Sequence, residues 1–74
     1  MEIQEFIEKF GEAIEVDNLD TLTPETEFHS LDEWSSISVM LTIAFFDEEF
    51  GKEISAADLK SMNTIQDVYD FAMN

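Results

Sequence analysis

Apolar residues recur every three or four positions at the start of the chain. Ile3, Phe6, Ile7, Phe10 and Ile14 form the series, with Glu2, Glu5, Glu8 and Glu12 between them. That spacing predicts a helix from Met1 to about Glu15 with one apolar face. Acids in its first turn suit the positive end of the helix dipole. From Val16 to Ser35 the period is lost. Asp17, Asn18, Asp20, Thr21, Thr23 and the single proline, Pro24, supply turn chemistry instead. The expectation is a loop of roughly 20 residues without regular structure, a length that often marks function in a small domain. Leu19, Leu22, Phe28 and Leu31 are its expected anchors, and Trp34 is a further candidate.

The period returns from Ser36 to Phe50. Ile37, Met40, Ile43, Ala44 and Phe50 recur at helical spacing, and Val39, Leu41, Phe45 and Phe46 widen the apolar arc. This second helix is more apolar than a half-buried helix needs. Asp47, Glu48 and Glu49 cluster near its end, where the dipole disfavours them, and Gly51 supplies the stop. Ser55 opens a brief helix of one or two turns in "SAADLKSM". Thr64-Ile65-Gln66-Asp67 has the form of a capping box with Asp in place of Glu, and begins a last helix. Ile65, Val68, Tyr69 and Ala72 are its expected inward side, with Phe71 beside them. No repeat and no long alternating pattern is present. The predicted fold is all-α: one domain, residues 1–74, built as a small helical bundle of three main helices plus one short helix.

Composition narrows the function. Seventy-four residues allow one small domain, and 45% apolar content with seven Phe argues for a packed core rather than disorder. There is no cysteine, so neither a disulfide nor a zinc thiolate is available. No apolar stretch approaches the roughly 20 residues a membrane span needs. The acidic N-terminus lacks the layout of a signal peptide. A soluble, cytoplasmic protein, monomeric and independent of membranes, is expected. Eighteen acids oppose three lysines, for a net charge of −15. That charge excludes nucleic acid as a natural partner and favours encounter with basic surfaces.

Catalytic chemistry finds little footing. His29 is the only histidine and reads as a solvated loop residue; no G-x-S-x-G elbow exists. The acidic segment "DNLDTLTPETEF" resembles a calcium loop only in composition. Its sixth position, where an EF-hand needs glycine, is Leu22. No metal site and no enzymatic activity are expected. The serine pair in "LDEWSSIS" is different. Ser35 suits an N-cap whose hydroxyl accepts a backbone N–H one turn on. Ser36 then becomes the first helical residue, beside unpaired donors and the positive dipole end, where a phosphate ester is favoured. Taken alone, the dipeptide favours a plain helix cap over an attachment point.

Over essentially its whole length the chain resembles acyl carrier proteins. Four segments carry the likeness: "TPETEFHSLDEW" for the long loop, "SSI" for the modified-serine motif, "DEEFGKEIS" for the acidic-aromatic helix end, and "NTIQDVYDFA" for the last helix. The resemblance implies a bundle that carries 4′-phosphopantetheine, delivered from coenzyme A, on a serine at the start of the second helix. The spacing to Phe50 assigns that role to Ser36 rather than Ser35, which takes the place of the family's usual Asp. Implied partners are a phosphopantetheinyl transferase and acyl-loading and acyl-processing enzymes with basic or apolar docking surfaces. The implied contacts are Ile37, Met40, Leu41, Asp47 and Glu48. The usual acids just after the serine are replaced by Ser38, Met40, Leu41 and Thr42, which shifts the expected docking toward apolar contact.

The implied function is an acyl carrier for fatty acid, polyketide or related biosynthesis, holding acyl groups as thioesters. Ile43, Phe46, Leu59, Ile65 and Val68 would line a core able to admit an acyl chain. The alternatives are an aminoacyl, peptidyl or D-alanyl carrier, and an unmodified acidic interaction protein that binds a basic site.

Overall fold

The structure is a computed structural model and describes residues 1–74. Four helices follow in order: α1 (Ile3–Ala13), α2 (Ser36–Phe50), α3 (Ala56–Ser61) and α4 (Ile65–Met73). This is the all-α bundle of three main helices and one short helix that the periodicity predicts. No strand forms, and a single antiparallel bridge joins Glu27 to Thr64. No helix is long and apolar enough to cross a membrane.

Helix α1 buries Phe6, Ile7 and Phe10, with Ile14 just past its end. The rings of Phe6 and Phe10 stack at 5.8 Å. The helix ends in a Schellman-type turn: Glu15 N–H donates to Glu12 and Val16 N–H to Gly11. Glu15 adopts a left-handed φ of 61° to make that turn. Gly11 is buried where the loop crosses α1, and a Cβ there would collide with the side chains of Leu19 and Leu22.

The loop differs from the expectation of no regular structure. It contains two short 3₁₀ turns, Leu19–Thr21 and Phe28–Ser30. The first is closed by Asn18, whose side chain accepts the Asp20 N–H at 3.1 Å. Thr26 and Pro24 offer their carbonyls to the N–H groups of Ile65 and Gln66, at 3.0 and 2.9 Å. Helix α4 therefore has its first-turn donors satisfied by the loop as well as by its own cap.

Helix α2 starts and ends where predicted, and the structure selects the inward face that its periodicity left open. Ser38, Thr42, Phe45 and Phe46 are buried, while Ile37, Met40, Ile43 and Ala44 face outward. The reason is physical. A helix apolar nearly all round has no unique inward side, so packing decides. The core takes the bulky rings of Phe45 and Phe46, together with two small hydroxyls that find acceptors on nearby backbone.

Helix α3 is held by a reciprocal box: Ser55 N–H donates to Asp58 at 3.0 Å and Asp58 N–H to the Ser55 hydroxyl at 3.1 Å. Thr64 and Asp67 repeat the device on α4. The backbone N–H groups of Asn63 and Thr64, with the Thr64 hydroxyl, hold the Asp67 carboxyl below its ordinary value. At the other end of α4, the Lys52 ammonium donates to the carbonyls of Phe71 and Asn74 and lies 5.5 Å from the Phe71 ring centre. A cation there suits the negative end of the dipole.

Candidate functional site

The serine junction is built from the end of the loop upward. Ser35 has extended backbone, φ −153° and ψ −178°, and occupies the N-cap of α2. Ser35 and Ser38 are arranged as a capping box. The bond that closes it within ordinary limits runs from the Ser35 N–H to the Ser38 hydroxyl, at 3.1 Å. The Ser38 hydroxyl in turn donates to the Glu33 carbonyl at 2.9 Å. The expected bond, with the Ser35 hydroxyl as acceptor, is the weaker half of the box. Ser38, unremarked as a cap in the sequence, does the fastening.

Ser36 is the first residue of α2 and is exposed. Its hydroxyl makes no hydrogen bond with the rest of the protein. The N–H groups of the first turn lack intrahelical acceptors, so the positive end of the dipole is open at this point.

At about 100° per residue, Ser36 shares one line of the helix with Met40, Ile43, Ala44 and Asp47. Ile37 and Glu48 flank that line. Ile37 is 65% exposed and Met40 70%, large values for such apolar side chains. Asp47 and Glu48 are exposed at the far end of the helix, whereas Leu41 is half-buried on its flank. Of the five expected contact residues, four are therefore fully outward and Leu41 only partly. Met40, Ile43 and Ala44 continue into an open groove of about 780 Å³ floored by Ile54. Asp47, Glu53 and Asp58 stand on its rim with Lys52.

Trp34, two residues before Ser36, is half-buried. Its ring meets Phe28 edge-on at 4.9 Å. Phe28 is fully buried and anchors the loop, as expected. His29 is the residue that the sequence reading missed. It is not a free solvated side chain: Nε2 lies 3.0 Å from the carbonyl oxygens of both Leu59 and Met62. Since carbonyls only accept, Nε2 carries the proton and the imidazole clamps the end of α3 to the loop. No local pattern could have announced this, because the partners lie 30 and 33 residues away.

The residues proposed to line an acyl-accepting core also divide. Phe46, Leu59, Ile65 and Val68 are at most 1% exposed, but Ile43 lies on the surface. Comparison with curated proteins found no match. A family model described as the phosphopantetheine attachment site matches residues 4–72, a span that reaches into all four helices. The chain belongs to the phosphopantetheine attachment site family, the carrier domains that hold 4′-phosphopantetheine by a covalent bond.

Proposed function

We propose that this chain is an acyl carrier protein and that Ser36 is its attachment residue. The observation that carries this reading is the alignment of a free, exposed Ser36 hydroxyl with the outward apolar line of α2. Three serines stand at the junction. Ser38 is buried and its hydroxyl is spent on Glu33 and Ser35. Ser35 is the N-cap and looks toward Ser38. Ser36 is left as the unengaged nucleophile on the docking side.

These residues fit a phosphodiester. The unpaired first-turn N–H groups and the positive dipole end stabilise its negative charge. On a separate transferase, Ser36 Oγ would attack the pantetheine-side phosphorus of coenzyme A's pyrophosphate. The new Oγ–P bond forms as the P–O bond to adenosine 3′,5′-bisphosphate breaks, that nucleotide leaves, and the serine proton passes to a base on the transferase. When bound, the arm supplies the terminal thiol that holds an acyl group as a thioester, a thiol this cysteine-free chain lacks. Ile37 and Met40 offer partner enzymes an apolar contact beside the arm, with Leu41 at its edge. Asp47 and Glu48 add negative charge that steers basic surfaces into register. Partners are then the phosphopantetheinyl transferase and the enzymes that load and process the acyl group.

The test is intact mass after incubation with coenzyme A and a broad-specificity transferase. Wild type and Ser35→Ala are expected to gain one phosphopantetheine group, and Ser36→Ala none. A gain retained by Ser36→Ala would overturn the assignment.

A further inference from the structure

We infer that the cargo is a short or polar acyl group that stays outside the bundle, rather than a long chain sequestered in its core. This rests on the carrier reading above and concerns the class of acyl group carried. Two independent features of the interior lead to it.

The first is the filling of the core. Phe46 is completely buried, and four other rings surround it: Phe50 at 5.4 Å, Phe45 and Phe71 at 6.0 Å, and Phe6 at 6.5 Å. Leu59, Ile65 and Val68 are also buried to within 1%. Rings held edge to face on several sides have few alternative rotamers. An alkyl chain entering there must displace them, and overpacking of a filled core is unfavourable. Aliphatic side chains could slide aside more readily.

The second is the lining beneath the attachment point. The buried face of α2 nearest Ser36 begins with Ser38 and Thr42, not with apolar residues. Thr42 is fully buried, and its hydroxyl donates to the Ser38 carbonyl at 2.8 Å. A chain entering along the Ser38–Thr42 side of α2 would meet two engaged hydroxyls. Breaking their bonds leaves buried polar groups unpaired, a cost the incoming methylenes must offset.

The recesses around the bundle agree with an external cargo. Three of them each meet the core cluster at one side chain, namely Ile54, Phe45 and Leu59. None of these three leads to Phe46, Ile65 or Val68.

The experiment uses the full chain loaded by a broad-specificity transferase with acetyl-, hexanoyl- or octanoyl-coenzyme A. Intact mass verifies each product. Melting temperatures and the NMR shifts of Phe46, Ile65 and Val68 are then compared with the unacylated phosphopantetheine form. Melting temperatures within about 2 °C of one another, with unmoved core resonances, are expected. A melting temperature that climbs with chain length, with shifts at those three residues, would overturn this inference and leave the carrier reading intact. Failure of Ser36 to gain any mass would instead remove the carrier reading, and this inference with it.

Discussion

The imidazole Nε2 of His29 sits 3.0 Å from the main-chain oxygen of Met62, the residue that caps the C-terminal end of α3. It reaches the Leu59 oxygen at the same distance, so one loop side chain satisfies two carbonyls at the end of a six-residue helix. Helices this short have little stability of their own and depend on such tertiary support.

Replacement His29→Ala is therefore expected to destabilise the domain by about 1 kcal/mol, the usual net value of such a bond. In a chain this small that lowers the melting temperature by roughly 4–8 °C. Amide exchange within α3 should accelerate more than exchange within α1. An unchanged melt with unchanged α3 protection would show that the clamp contributes nothing.

Ser38→Ala removes the hydroxyl that joins the Ser35 N–H to the Glu33 carbonyl. Both groups then lose a partner at a part-buried junction, and a loss of about 1 kcal/mol is expected by thermal or urea denaturation. Phosphopantetheine loading, read by mass, should persist, because Ser36 is untouched. Loss of loading in a variant that still folds would shift the chemistry from Ser36 to its neighbour.

Asp67 makes an acid-dependent contribution. The N–H of Asn63 foremost, then the N–H of Thr64, bind its ionised form and lower its folded value beneath the ordinary 3.8. The sign follows from linkage. The contribution is fully present above 3.8 and is lost as the pH falls through the lower folded value. Asp67→Asn is expected to melt below wild type at pH 7, with the difference shrinking as the pH drops beneath about 4, where the wild-type carboxyl also becomes neutral. A difference that stays constant across that window would show that charge plays no part.

Glu15 holds the left-handed position that closes α1, with φ 61°. A side chain there costs about 1–2 kcal/mol that glycine avoids. Glu15→Gly is expected to raise stability by about 1 kcal/mol, measured as an upward shift of the denaturation midpoint at constant slope. A lowered midpoint would show that the turn is set by something other than backbone preference.

Much of this protein is legible in local sequence. The series Ile3, Phe6, Ile7, Phe10 and Ile14 fixes both the existence of α1 and its inward side, because acids occupy the opposite face and leave one solution. Thr64 with Asp67 and Ser55 with Asp58 announce the starts of α4 and α3, since a cap and its partner lie within one turn of chain. The Ser35-Ser36 junction and the αL stop at Gly51 are likewise local, and they bound α2 at the predicted residues.

Other features were decided only by the tertiary structure. Helix α2 is apolar on nearly every side, so its periodicity named a helix but not a face. Packing of Phe45 and Phe46 against Phe6 turned Met40 and Ile37 into solvent, next to Ser36. The bonds from Thr26 and Pro24 to α4, and from His29 to α3, join residues some 30 or more positions apart. Their sequence carries no mark of the pairing, because each loop carbonyl or imidazole acquires its partner only when distant helices come to rest. The chain determined by itself which segments coil and where they start. The competition among side chains for one small interior determined which apolar residues were left outside for a partner.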